Sequence, residues 1–202
     1  LAEDFDIQLP IMVNYDGYYL SYLAEGVEIP NQEDVDGFLA PLKSQPPRPR
    51  IIPGRSTGCG THGMEMGYIE ARYKHWLAMD RAKAKVDEID RLFGEYFGRS
   101  YGGQIEEYRC DDAEFVILTS GSAAATAKTV VDARREKGMK VGLIKLRLFL
   151  PFPEERLAAA IKGKKAVGVI DRSVGFGWVR TAAGTIRRQK AAAMTRRIIR
   201  LL

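Results

Sequence analysis

The chain has 202 residues, 46% of them hydrophobic and 28% charged, with a net charge of +5 and only two cysteines. That apolar content supplies one substantial domain or a small one with appendages, and the cysteines are too few for a disulfide scaffold. No window of eighteen uninterrupted apolar residues occurs, and the start, Leu1-Ala-Glu-Asp-Phe-Asp6, is acidic where a secretory signal is basic and then apolar. A soluble, globular, cytoplasmic protein is expected.

In chain order, Ile11-Met-Val-Asn-Tyr15 is an apolar strand candidate, followed by the turn signal Asp16-Gly17 and by Tyr18-Tyr-Leu-Ser-Tyr22. With no initiating Met and an opening inside an apolar element, a fragment or a processed subunit is expected. After Pro30, residues 31–39 form a short helix capped by Asn31. The prolines of Lys43-Ser-Gln-Pro-Pro-Arg-Pro-Arg50 remove donors and fix φ, so that stretch is an extended linker. The glycine-dense residues 55–67 are a loop. A long helix follows over residues 68–97: Ile69, Tyr73, Trp76, Leu77, Val86, Ile89, Phe93 and Phe97 recur at three- and four-residue steps, and the helix stops near Gly98. Its aromatic stripe is expected to pack against a sheet.

Beyond it, Phe115-Val-Ile-Leu-Thr119 has the length and composition of a buried parallel strand, and Ser120-Gly121-Ser122 is a tight turn whose Ser122 is placed to cap the next helix. That helix runs to Gly138, with Arg134, Arg135 and Lys137 in its last turn. Val141-Gly-Leu-Ile-Lys-Leu146 is the next strand. Pro151-Phe-Pro153 breaks the chain, and a helix with two acids in its first turn leads to a stop at Lys162-Gly163-Lys-Lys165. A third apolar run, Ala166-Val-Gly-Val-Ile170, ends at Asp171-Arg172. Strand-helix-strand alternation of this kind predicts an α/β domain with a mainly parallel sheet.

The positive charge is local. Residues 178–202 hold Arg180, Arg187, Arg188, Lys190, Arg196, Arg197 and Arg200 and no acid, so removing those seven charges from +5 leaves −2 for the remainder. Basicity is a property of the tail, which argues against nucleic acid as the partner of the folded body.

Few residues carry chemistry. The turn Ser120-Gly121-Ser122 lies where an open α/β sheet binds ligands, at a strand's carboxyl end and a helix's amino end, so a phosphate or carboxylate is one possible occupant. It lacks both the spacing of a dinucleotide fingerprint and the lysine of a P-loop, and plain strand-to-helix turn chemistry is the simpler reading. Asp171 and Arg172 end the third apolar run at the same sheet edge, where a salt bridge or an interface contact is expected. Glu106-Glu-Tyr-Arg109 precedes the first strand and suggests a structural fork of arginine on carboxylate. Cys59 with His62 is the only pair that suggests nucleophilic catalysis, and with no third group to orient it, it is set aside. No catalytic residue and no metal-ligand set is assigned. His75 is expected at the solvated surface.

Taken in order, Asn14-Tyr-Asp-Gly-Tyr-Tyr-Leu-Ser21, Val27-Glu-Ile-Pro30, Phe97-Gly-Arg-Ser-Tyr-Gly102, Glu106-Glu-Tyr-Arg109, Thr119-Ser-Gly-Ser122, Phe149-Leu-Pro-Phe-Pro153 and Val169-Ile-Asp-Arg-Ser-Val-Gly-Phe-Gly177 resemble the alpha subunit of pyruvate:ferredoxin oxidoreductase and its 2-oxoacid relatives. The resemblance spans residues 11–177. It implies a three-layer α/β fold, mainly parallel, like the transketolase carboxyl-terminal domain. It also implies residues 1–29 as the end of a truncated thiamine-pyrimidine-type domain, 30–54 as a linker, 55–177 as the transketolase-like domain and 178–202 as an atypical basic tail. Tyr22 stands where the family has His, and Leu148 or Leu150 where it has Arg. The abrupt turn to Arg after Gly177 suggests an altered reading frame or a truncation, with residues 178–202 not the family's native ending.

The implied whole enzyme decarboxylates a 2-oxoacid, pyruvate being the expected one, on thiamine diphosphate with Mg, passes electrons through iron–sulfur clusters to ferredoxin and gives the acyl unit to coenzyme A. This chain would be a subunit-interface domain without cofactors of its own, inactive alone and partnered by the other subunits or domains. The alternative is a non-catalytic interaction or nucleic-acid-binding module that uses the basic tail, read as an amphipathic helix over residues 185–200.

Overall fold

A computed structural model of the chain describes residues 1–44, 51, 53–56 and 67–171, together with the backbone of 198–201. Cys59, His62, Arg172 and residues 178–197 of the basic tail lie outside the described residues. The chain divides into two compact units, residues 1–13 with 27–100 and residues 14–26 with 101–202.

The first unit is helical. Helix α1, Gln32–Lys43, begins as Asn31 predicts: its Oδ1 accepts from the Asp34 N–H at 2.8 Å, and its Nδ2 donates to Asp34 Oδ2 at 2.6 Å. It runs four residues past the expected end and carries Pro41 inside. The proline sits in the last turn, where its missing N–H costs a single bond, and the Ser44 N–H still closes on Ala40 O at 3.2 Å. Helix α2, Tyr68–Phe97, has the predicted bounds and ends on Gly98 in the left-handed region, φ 66°. Its stripe does not meet a sheet in this unit. Phe93, Tyr96 and Phe97 gather edge-on around Phe38 of α1, with centroids 5.5–6.1 Å away. Ile69, Tyr73 and Trp76 are exposed. So is His75, as expected, with Nδ1 3.1 Å from Arg72 Nη1.

The predicted strand at Ile11–Tyr15 does not form, and residues 18–21 are turn. An isolated extended run leaves its N–H and C=O groups without a ladder, so strand propensity alone does not make a strand.

The second unit is a layered sheet in the order β1-β3-β2-β4-β5. Strands β2 (Phe115–Ser120), β3 (Val141–Leu146), β4 (Ala166–Ile170) and β5 (Ile198–Leu201) are parallel, and β1 (Ile105–Tyr108) is antiparallel to β3 at one edge. Buried on both faces, β3 reads as the nearly continuous apolar run expected of a parallel interior strand. Helix α3, Ala123–Glu136, lays Ala124, Ala127 and Val131 on one face, over Leu143 with Tyr108 and Ile117 beside them. Helix α4, Glu154–Ile161, lays Leu157 and Ile161 on the other, against the side that carries Val116, Leu118, Ile144, Val167 and Val169. Alternation along each strand assigns neighbouring residues to opposite cores. The result is the expected α/β fold in three layers.

Two strands were not foreseen. β1 lies within what the sequence suggests is only a lead-in, because a four-residue edge strand with two glutamates lacks the apolar run by which interior strands are found. β5 comes from the basic tail, where a helix or a loose end was expected; it extends the sheet beside β4.

Candidate functional site

The site begins with chain direction. β2 leaves the sheet through α3 on one face and β3 leaves it through α4 on the other, so the carboxyl ends of these neighbouring strands border a topological switch point. Open α/β sheets bind ligands in that position. Buried Thr119 and exposed Ser120 close β2, and Gly121 then adopts φ +65°, which L side chains rarely do, turning the chain into α3.

Ser122 does not cap α3 with its side chain as predicted. It already has helical angles, φ −67° and ψ −25°, and makes no side-chain cap bond. Instead its N–H donates to Oδ2 of Asp16, 2.9 Å away and 106 residues earlier in the chain. The helix dipole favours a carboxylate at this end, and here it is an internal one. Asp171 comes to the same edge: continuing the β2–β4 register past Leu118 and Val169 sets it level with Ser120. On the β3 side, Arg147 turns toward the antiparallel edge, its guanidinium 5.3 Å from the Tyr101 ring and its Nη1 donating to Gly103 O at 3.2 Å.

A second cluster surrounds Glu106-Glu-Tyr-Arg109, whose alternating side chains fasten β1 to both helical layers. Glu106 pairs with Lys128 of α3, Glu107 with Arg156 of α4 at 3.6 Å, and the Tyr108 hydroxyl donates to Asp132 of α3 at 2.9 Å. Arg109 Nε reaches the same Asp132 at 2.8 Å, which makes the arginine fork structural. Tyr108→Phe is expected to lower the unfolding free energy by about 1 kcal/mol, because it leaves a part-buried carboxylate short of one donor. Urea unfolding followed by circular dichroism reads this, and a variant as stable as the parent would show that the Tyr108 hydroxyl adds nothing to the Arg109–Asp132 pair.

Cys110 is a buried thiol, donating to Leu143 O at 3.3 Å. Burial first, and then the Glu107 carboxylate, pushes its pKa up. It is thus a small core residue and a poor nucleophile. Among the described residues no helix is long and apolar enough to cross a membrane.

The arrangement as a whole defines a three-layer α/β domain whose switch point receives part of its own chain. A profile described as pyruvate:ferredoxin oxidoreductase core domain II matches residues 113–201, and so takes in β2 to β5 and the basic stretch. The pyruvate synthase subunit PorA of Methanothermobacter thermautotrophicus is 40% identical over 176 residues, 87% of this chain and 45% of that protein. PorA of Thermotoga maritima is 41% identical over 177 residues, covering 88% and 44%. The alpha subunit of the NADH-dependent phenylglyoxylate dehydrogenase of Aromatoleum evansii is 41% identical over 184 residues, again covering 88% and 44%. The chain carries, over residues 113–201, the core domain II of the pyruvate:ferredoxin oxidoreductase family, and over most of its length it is similar to alpha subunits of 2-oxoacid oxidoreductases. It spans a little under half the length of the curated relatives it matches.

The groups such enzymes use do not fit the residues described. An iron–sulfur cluster takes four thiolates, and the chain has two cysteines. Among the described residues no group of three or more His, Cys, Asp or Glu side chains is placed to hold a metal ion. No chemical step is assigned to the described residues.

Proposed function

We propose that this chain serves a cytoplasmic 2-oxoacid:ferredoxin oxidoreductase as a non-catalytic domain of its alpha subunit. It packs and orients the parts that hold thiamine diphosphate, Mg and the iron–sulfur clusters. The whole enzyme would oxidise a 2-oxoacid, pyruvate or a relative of it, to carbon dioxide and an acyl-coenzyme A, with electrons going to ferredoxin. The observation that carries this reading is identity near 40%, across most of the chain, to proteins named as subunits of such enzymes. In this role Ser120, Gly121, Ser122 and Asp171 act at a joint between chain segments.

Two relatives at the same 41% identity are named for different substrates, pyruvate and phenylglyoxylate. That supports placing substrate selection outside this region. The alternative, a nucleic-acid module built on the tail, finds no support, since the domain match runs through that stretch.

The test is co-expression of this chain with the remaining alpha-subunit sequence and the other subunits. The chain is expected to co-elute with a species that reduces ferredoxin when a 2-oxoacid and coenzyme A are supplied. An equally active complex that assembles without it would overturn the reading.

A further inference from the structure

We propose that Asp16 is a built-in ligand of the switch-point crevice, a carboxylate peg that straps residues 14–26 onto the turn between β2 and α3. The inference rests on reading that turn as a joint.

Three observations converge on it. First, α3 has no local partner for the positive end of its dipole: its first turn holds no acid, and its N-cap side chain makes no cap bond. Helix α1 has Asn31 in that role, and α2 and α4 carry Glu70 and Glu154 in their first turns. Second, the missing partner arrives from far away in sequence, as Asp16 Oδ2 accepts the Ser122 N–H at 2.9 Å. Third, the turn leaves room for it. A Cβ on Gly121 would lie 3.4 Å from that same oxygen, so the residue that permits φ +65° also admits the carboxylate.

The strap has some order of its own. The Leu20 N–H closes on Asp16 O and the Tyr22 N–H on Tyr18 O, both at 3.3 Å, so the peg stands at the head of a short coil. The rings of Tyr18 and Tyr22 lie 5.6 Å apart along it. Tethering gives the Asp16 carboxylate a high effective concentration at the helix end, against which a free anion competes poorly. The crevice is closed by default, and the contact couples residues 14–26 to the sheet domain.

Amide hydrogen exchange and thermolysin cleavage within residues 17–26, measured on the full 202-residue chain, test this. In Asp16→Ala, exchange at the Ser122 amide is expected to rise about fivefold, the equivalent of a lost N-terminal cap, with faster strap cleavage. Leu143 and Ile144 should keep their protection. Asp16→Asn keeps an acceptor and loses the charge, so a smaller rise is expected. Ser122 exchange and strap cleavage that match the parent in Asp16→Ala would overturn the peg. Should that variant lose protection at Leu143 as well, Asp16→Asn decides, and parental values there overturn it equally. Inorganic phosphate, added to the parent, separates the two readings. It is expected to leave the Ser122 amide shift unchanged, and a saturable shift would make the turn an open anion pocket and overturn the joint itself.

Discussion

Leu157→Ala is expected to lower the unfolding free energy of the sheet domain by about 3 kcal/mol, the midrange for a leucine removed from a packed core. Leu157 is fully buried, and it is where α4 enters the core that also holds Val116, Leu118, Ile144, Val167 and Val169. Truncation removes the buried methyl groups and leaves a cavity between two rigid layers, since β2, β3 and β4 are tied in one ladder and cannot close in around it. Small domains have only about 5–15 kcal/mol of total stability, so this single change consumes a large part of it. Val130→Ala is the matched control: Val130 lies on α3 but is 44% exposed, and alanine is the better helix former, so a change within about 0.5 kcal/mol is expected. Urea midpoints by circular dichroism compare the two, and equal midpoints would mean that α4 is not held by the sheet.

The second large effect comes from a backbone position. Gly102 has φ +85°, and a Cβ there would lie 2.5 Å from Ile105 O and 2.9 Å from the Glu106 Cα. Both neighbours are backbone, which no rotamer change can move. Gly102→Ala therefore meets the left-handed penalty, about 1–2 kcal/mol, and a clash relieved only by displacing β1, for a total of about 3 kcal/mol or more. Gly163→Ala separates the two contributions, because Gly163 has φ +78° with nothing within 4 Å of its notional Cβ. It should cost about 1 kcal/mol. If the two variants unfold at the same denaturant concentration, the close approach at Gly102 is not real. A displaced β1 would also loosen the contacts of Glu106, Glu107, Tyr108 and Arg109, so Gly102→Ala and Tyr108→Phe should combine less than additively.

Elements whose information is local were legible in the chain. The stripe from Ile69 to Phe97 and its stop at Gly98, the buried runs at Phe115, Val141 and Ala166, and the proline-led start of α4 follow from periodicity, β-branched content and termination chemistry acting within a turn or two. These sufficed for an α/β domain with a mainly parallel sheet, and the three layers were implied by the family resemblance. Ordered short motifs added the family, which the likeness to PorA subunits bears out.

What depends on a partner was not legible. Ile11–Tyr15 has strand composition but no ladder to join, whereas Ile105-Glu-Glu-Tyr108, with its two glutamates, becomes a strand because β3 offers it an edge. The stripe of α2 was expected on a sheet and in its unit meets Phe38 of α1, since periodicity shows which face is apolar and says nothing of what covers it. At the turn after β2 the sequence determined the need, a glycine-bent entry into a helix with no acid in its first turn. Only the tertiary structure decided how that need is met. A hydrogen bond between residues 106 positions apart depends on chain closure, and no local preference of Asp16 or of Ser122 encodes it.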